Sequence, residues 1–114
     1  MTIPEAWGPY AVALARRPLL SGDQAGEMAR TFGLLANETR VRIIHALCRE
    51  GELSVGDLGV AIGMTPQATS NQLQRLTDTG ILASRRIGNR MLYRVEDSCL
   101  AELLETAMCL VEGE

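Results

Sequence analysis

The sequence contains no lysine, so all eleven of its basic residues are arginine, and guanidinium groups suit two-pronged contact with phosphate. Aromatic residues are almost as scarce, with one Trp, one Phe and two Tyr in 114 residues. This composition disfavours a β-sandwich and favours a single domain of helices packed by Leu, Ile, Val and Ala. An all-helical core of this size often needs a second subunit to complete it.

Cysteine and histidine are also rare. Cys48, Cys99 and Cys109 are too few and too scattered for a disulfide framework. The first residues include no basic segment typical of a signal peptide, and no apolar run approaches the length of a membrane span. We therefore expect a cytoplasmic protein with reduced thiols and no membrane partner. One histidine, without a glycine-rich phosphate loop or a Ser/His/Asp set, leaves no catalytic group to assemble, so an enzyme is disfavoured.

Charge is segregated along the chain. The net charge is −3, but residues 64–95 hold five arginines and one acidic residue, Asp78, whereas residues 96–114 hold six acidic residues and no basic one. A phosphate is attracted by the electrostatic potential of the nearest charges, so the arginine-rich segment can bind phosphate although the whole chain is acidic.

Side chains that cap helices mark the starts of five helices. A further short helix is predicted over Tyr10–Ala15, with Pro18 breaking it. The dipeptide Gly88-Asn89 predicts a two-residue hairpin turn, after which Met91, Tyr93 and Val95 should alternate between faces with their neighbours. The predicted caps are Ser21, Asn37, Ser54, Thr65, and either Asp97 or Ser98.

The order helix, turn, helix, two-stranded wing over residues 54–95 is typical of a DNA-binding motif. The stretch Thr65–Arg75 is expected to lie in the major groove, because its polar residues recur on one helical face and suit base edges. Arg75 would clamp phosphate, and Arg86 and Arg90, beside the hairpin tip, would grip phosphate or enter the minor groove. A solvated polar face is the alternative. The polar residues are Gln67, Ser70, Asn71 and Gln74.

The chain resembles the ArsR/SmtB family of small winged helix-turn-helix repressors over roughly residues 25–112. The resemblance implies a mainly α fold with a small β-hairpin: four helices, the hairpin and a last helix, with the first and last helices forming a homodimer interface. It implies a repressor that binds an imperfect palindromic operator in double-stranded DNA and is released by an inducer. The segments that carry it are Leu35–Ile44, Glu52–Leu58, Ser70–Leu73, Leu76–Gly80 and the wing as far as Tyr93.

This resemblance divides the chain into residues 1–20, an N-terminal arm or short helix, and residues 21–112, the DNA-binding and dimerisation domain. The last helix should carry an apolar stripe for packing. The stripe comprises Leu100, Leu103, Leu104, Ala107 and Val111.

The inducer remains open at the level of sequence. Ser54 and Gly56 stand where the family's arsenic and cadmium sensors often have paired cysteines. Asp97 matches one ligand of the zinc-type sensors, but Cys99 replaces the histidine beside it. Cys99 and Cys109 are ten residues apart, roughly 15 Å along a helix, so only an antiparallel pair of subunits would join them around zinc or cadmium.

Three alternatives to a metal inducer stand beside that hypothesis. Relatives that sense reactive sulfur use one cysteine on the second helix and one on the last, for which Cys48 and Cys109 are imperfectly placed. The effector can also be independent of cysteine. The third alternative is a protein-interaction module that kept the fold and does not bind an operator.

Overall fold

The computed structural model describes residues 7–113. These residues divide into two compact units between Leu34 and Leu35. Residues 7–113 form six helices and three short strands in the order α1 Pro9–Ala15, α2 Gly22–Leu35, α3 Glu38–Glu50, β1 Leu53–Ser54, α4 Val55–Ile62, α5 Pro66–Asp78, β2 Leu82–Ile87, β3 Arg90–Val95 and α6 Cys99–Glu112.

The first unit consists of α1 and most of α2. The short N-terminal helix was predicted within one residue of its start. A reciprocal pair of hydrogen bonds begins α2: the Ser21 amide donates to Gln24 Oε1, and the Gln24 amide donates to Ser21 Oγ. This is the capping box that the sequence predicts. Large apolar side chains stay exposed here, including Phe32 at 52 %.

Helices α3, α4 and α5 form the core of the second unit. Each begins at a predicted cap, where Asn37 Oδ1, Ser54 Oγ and Thr65 Oγ1 accept a hydrogen bond from a backbone amide of the first turn. Their apolar faces meet around side chains that are at most 7 % exposed. The buried apolar residues are Ile43, Ile44, Leu47, Leu58, Ile62, Leu73, Leu76 and Leu82.

The turn between α4 and α5 is packed backbone against backbone. Gly63 ends α4 with a left-handed φ of 71°, and the Met64 amide donates to the Gly59 carbonyl at 2.8 Å. A Cβ on Gly59 would lie 2.9 Å from the Met64 carbonyl oxygen and 3.2 Å from Thr69 Oγ1. Glycine at position 59 therefore sets how closely α5 approaches α4.

The wing is a three-stranded antiparallel sheet in the order β1-β3-β2, and the sequence did not predict β1. The predicted two-residue turn is confirmed, because Ile87 pairs with Arg90 across Gly88 and Asn89. The residues from Met91 to Val95 are all half-buried, so burial along β3 does not distinguish the two faces between which the sequence predicts alternation. β3 is the central strand, and it pairs with β2 along its length and with β1 at Leu92 and Tyr93.

Helix α6 closes the second unit. Asp97, one of the two predicted caps, accepts a hydrogen bond from the Cys99 amide through Oδ1 at 2.8 Å, whereas the Ser98 side chain makes no capping bond. Within residues 7–113, neither α2 nor α6 contains a buried residue. Val111 of the predicted apolar stripe is 87 % exposed, and Leu110 beside it 82 %. No helix in this range is long and apolar enough to cross a membrane.

Candidate nucleic-acid interface

Helix α5 is fixed on its inner face and open on its outer face. Pro66 occupies the first turn, where the missing N–H costs no hydrogen bond. On the inner face Thr69, Leu73 and Leu76 are buried. The Thr69 hydroxyl donates to the Thr65 carbonyl at 2.8 Å. The helix is therefore anchored from its first turn to its last, which holds its outer face in one orientation.

The outer face carries the predicted base-reading residues. Gln67, Ser70, Asn71 and Gln74 are all exposed, and the exposed Arg75 flanks them. Gln67 Nε2 donates to Asn71 Oδ1 at 3.1 Å. Each of these amides keeps further donors and acceptors for a base edge. The arrangement is therefore a polar row held on a rigid helix.

Gln74 and Gln72 of α5 each form a hydrogen bond with another side chain of the protein. Gln74 Nε2 donates to Asp78 Oδ1 at 2.9 Å, so a carboxylate shares the outer face near its end. Gln72 points elsewhere and is half-buried, and its Oε1 accepts from Arg40 Nε of α3 at 3.2 Å. The bond to Arg40 ties α5 to the start of α3.

The two predicted wing arginines lie on opposite faces of the hairpin. Arg86 pairs across the strands with Met91, and Arg90 pairs with Ile87. Because side chains alternate between faces along a strand, the neighbours Arg86 and Ile87 point in opposite directions. Only one of the two arginines can therefore project from a given face of the wing.

Two arginines of the wing are engaged by carboxylates. Arg85 donates to both oxygens of Glu52 through Nε and one terminal nitrogen, each at 2.7 Å. This two-pronged hydrogen bond lowers the pKa of the Glu52 carboxyl, and the charges of Arg85 and Arg94 lower it further. A terminal nitrogen of Arg90 donates to Asp57 Oδ2 at 3.0 Å.

The predicted excess of positive charge is consequently smaller in three dimensions. Residues 64–95 contain only one acidic residue, but Glu52 and Asp57, from outside that segment, neutralise two of its arginines. These pairs could not be predicted from local patterns, because each joins residues 33 positions apart. Among residues 7–113, Arg86 makes no ion pair. Of the two wing arginines predicted to contact DNA, Arg86 is thus the one whose charge is not paired with a carboxylate, whereas Arg90 is paired.

At the start of α6 the structure brings together two of the three predicted metal ligands. The Cys99 amide and thiol both hydrogen-bond the Asp97 carboxylate, which lowers the pKa of Asp97. The same hydrogen bond and the negative charge of Asp97 raise the pKa of the Cys99 thiol. A thiol held in this way is not an activated thiolate, which requires a lowered pKa.

Cys109, the third predicted metal ligand, lies away from Cys99, and Cys48 and Cys109, the predicted redox pair, do not share a cleft. Cys109 lies in the last turns of α6, far along the helix from Cys99. Cys48 lines a small cleft between α3 and α6, with Glu105 and Met108 opposite, and Cys109 is not among the residues of that cleft. Burial raises the pKa of the Cys48 thiol. The three thiols, all within the described residues, form no disulfide.

The donor set of one chain does not fit a metal ion. Among residues 7–113, no group of three or more His, Cys, Asp or Glu side chains is placed to hold one. Asp97 and Cys99 supply half of a site, so the remaining ligands of any metal bound there must come from outside residues 7–113 of this subunit.

Comparison with known proteins agrees with this geometry. The MarR family model matches residues 32–89, which run from the end of α2 through the helix-turn-helix to the hairpin turn. The HTH-type transcriptional regulator NmtR of Mycobacterium tuberculosis is 37 % identical over 89 residues, 78 % of this chain and 73 % of NmtR. The chain belongs to the ArsR/SmtB family.

Solved structures match a larger share of the chain than the family model does. The AntR antimony-specific transcriptional repressor is 50 % identical with a TM-score of 0.80, and the match covers 89 % of this chain and 91 % of AntR. The homodimeric winged helix-turn-helix domain of Mb0332 from Mycobacterium bovis, a possible ArsR-family regulator, is 29 % identical with a TM-score of 0.69, over 84 % of this chain and 91 % of that domain. As a member of the ArsR/SmtB family, the chain is a winged helix-turn-helix regulator of transcription and not an enzyme.

Proposed function

We propose that this protein is a homodimeric repressor that binds an imperfect palindromic operator in double-stranded DNA and is released by a metal or metalloid ion with affinity for thiols. The observation that carries the DNA-binding part is the exposed polar row of α5, Gln67 to Gln74, beside a wing in which Arg86 makes no ion pair among residues 7–113. A cytoplasmic location and an arm formed by residues 1–20, outside the domain of residues 21–112, stay predictions.

Base reading and phosphate contact are separable by experiment. Gln67 would bond a base edge, so Gln67→Ala should reduce the preference for the operator over a scrambled duplex by about 1–3 kcal/mol and leave the salt dependence unchanged. Arg86 would bond phosphate, so Arg86→Ala should weaken binding to both duplexes equally and reduce the slope of log K against log salt by about one per wing.

Fluorescence anisotropy with the DNA upstream of the protein's own gene measures both quantities, and each variant is the control for the other. Loss of slope in Gln67→Ala, or loss of preference in Arg86→Ala, would contradict these assignments. A wild-type protein that binds neither duplex would favour the protein-interaction module.

The dimer is supported by apolar side chains that remain in water in one chain. Leu110 and Val111 on α6, and Met28 and Phe32 on α2, are all at least 45 % exposed. Exposed apolar surface of this kind is typical of a subunit interface. We expect Val111→Glu to shift the protein from dimer to monomer in light scattering after size exclusion, whereas a wild type that runs as a monomer at micromolar concentration would contradict the proposal.

The inducer part rests on the cysteines of α6 and on the relative that is half identical to this chain. AntR is specific for antimony, and antimony, cadmium and zinc all accept thiolate ligands. Asp97 and Cys99 of one subunit and Cys109 of the other would hold the ion, supplying thiolate and carboxylate donors. The raised pKa of Cys48 and its position in the cleft favour the simpler role of a packed side chain.

Release of a labelled operator by antimonite, cadmium or zinc tests this site. Cys99→Ser and Cys109→Ser should each abolish release, and Cys48→Ser should not. A mixture of Cys99→Ser and Cys109→Ser subunits should recover release, because one intact pair forms in each mixed dimer. Release that survives all three substitutions would favour an effector independent of cysteine, and release lost with Cys48→Ser and Cys109→Ser alone would favour the redox pair.

A further inference from the structure

The ion pair of Arg90 with Asp57, which joins the wing to α4, differs in geometry from the ion pair of Arg85 with Glu52. Arg90 is the first residue of β3, directly after the hairpin turn, and Asp57 lies in the first turn of α4. One terminal nitrogen of Arg90 bonds one oxygen of Asp57 at 3.0 Å, and the two side chains are 61 % and 64 % exposed. By contrast, Glu52 binds Arg85 through two bonds and its side chain is only 27 % exposed.

A single exposed bond of this kind is easily exchanged. Ion pairs in water contribute little because both partners remain hydrated. A phosphate oxygen offers guanidinium the same type of bond as a carboxylate oxygen does. Any phosphate that approaches Arg90 must therefore replace Asp57 or share the guanidinium with it, and in either case the negative charge of Asp57 repels the phosphate.

We propose that Asp57 competes with DNA phosphate for Arg90 and thereby limits how tightly the wing holds any duplex. The inference rests on the proposed DNA-binding function and adds a residue to it that does not itself contact DNA. It also assigns different roles to the two arginines beside the hairpin tip. Arg86, which has no ion pair among the described residues, supplies the phosphate contact, while the charge of Arg90 is largely neutralised by Asp57.

Because phosphate contacts carry no sequence information, the effect of Asp57 should be the same on all DNA. Asp57→Asn keeps the size of the side chain and removes the charge. Binding to the operator and to a scrambled duplex should each become about two- to five-fold tighter at 50 mM salt, the range expected for release of one exposed ion pair. The salt dependence should become steeper by about one unit for each wing that contacts DNA.

A matched control separates this effect from net charge. Glu50 is an exposed carboxylate that also pairs with an arginine, Arg49 on α3, at 3.4 Å. Glu50→Gln removes the same charge without freeing a wing arginine, so its effect should be clearly smaller. In an Arg90→Gln background, Asp57→Asn should give a clearly smaller gain, no larger than that of Glu50→Gln, because the guanidinium that it frees is gone and only a repelling charge is lost.

The experiment is a salt titration of operator and scrambled duplex, with each protein checked for folding by thermal melting. The proteins are wild type, the double variant of Asp57→Asn with Arg90→Gln, and the single variants Asp57→Asn, Glu50→Gln, Arg90→Gln and Arg86→Gln. Unchanged or weaker binding by Asp57→Asn would overturn the proposal, as would an equal gain in Glu50→Gln or an undiminished gain in the Arg90→Gln background. If Asp57→Asn does not fold, the comparison of Arg86→Gln with Arg90→Gln decides: Arg86→Gln should lose more affinity, and the reverse order would overturn the proposal. Absence of DNA binding by the wild type would instead overturn the proposed function.

Discussion

Substitution of Gly59 by alanine should destabilise the protein and disturb the helix-turn-helix. The new Cβ would lie 2.9 Å from the Met64 carbonyl oxygen, a backbone atom in the turn, and 3.2 Å from Thr69 Oγ1. Because a backbone atom cannot rotate away as a side chain can, the turn and the first residues of α5 must move. Those residues begin the surface that we expect to meet DNA, so operator affinity should fall together with stability.

The expected magnitude is the balance of two terms. Overpacking of a well-packed site costs about 1–3 kcal/mol. Alanine is favoured over glycine inside a helix by about 1 kcal/mol, which offsets part of that cost. Gly56 provides the control within α4, since a Cβ there would meet nothing within 4 Å. Gly56→Ala should be neutral or stabilising, so the two variants should differ by about 1–3 kcal/mol.

Urea denaturation of both variants at one protein concentration measures this difference, because a dimer's apparent stability depends on concentration. Anisotropy with the operator gives the effect on DNA binding. If Gly59→Ala proved as stable as Gly56→Ala, the close packing of the turn would be refuted as the reason for a glycine at position 59.

Three other substitutions test the local interactions. Thr69→Val removes the hydroxyl that donates to the Thr65 carbonyl and should cost about 1 kcal/mol in denaturation, whereas no loss would mean that the bond contributes nothing. Asn37→Ala removes the cap of α3 and should also cost about 1 kcal/mol, with a smaller helical signal in circular dichroism; an unchanged midpoint would contradict the cap. Glu52 has a lowered pKa beside Arg85, so its stabilising contribution is complete above the pKa of an unfolded glutamate and is lost as pH falls through the folded value. Wild type should therefore melt above Glu52→Gln at neutral pH and converge with it in acid, and a gap independent of pH would contradict this.

The helix starts and the hairpin could be predicted because their determinants are local. Asn37, Ser54 and Thr65 each bond an amide three residues onward, so the sequence alone contains both partners. Gly88 and Asn89 set the turn by their own backbone preferences. The polar face of α5 was also predictable, since helical periodicity alone places its members together.

What could not be predicted depends on contacts between distant residues. Strand β1 has only two residues and exists because Leu53 and Ser54 pair with β3, which follows some forty positions later. The pairing of Arg90 with Asp57 likewise requires the wing to fold back on α4. Opposite orientations of Arg86 and Arg90 were in principle deducible, because a two-residue turn fixes the register of the hairpin.

The central claim is that two α5 helices related by two-fold symmetry read successive turns of one duplex. The spacing of the half-sites tests this claim most directly. Footprinting upstream of the gene locates the palindrome, and binding is then compared for that operator, for the operator with five base pairs inserted at its centre, and for a scrambled duplex. The insertion turns one half-site to the opposite side of the helix, so affinity should fall towards that of the scrambled duplex. Equal affinity for all three duplexes at moderate salt would contradict the account.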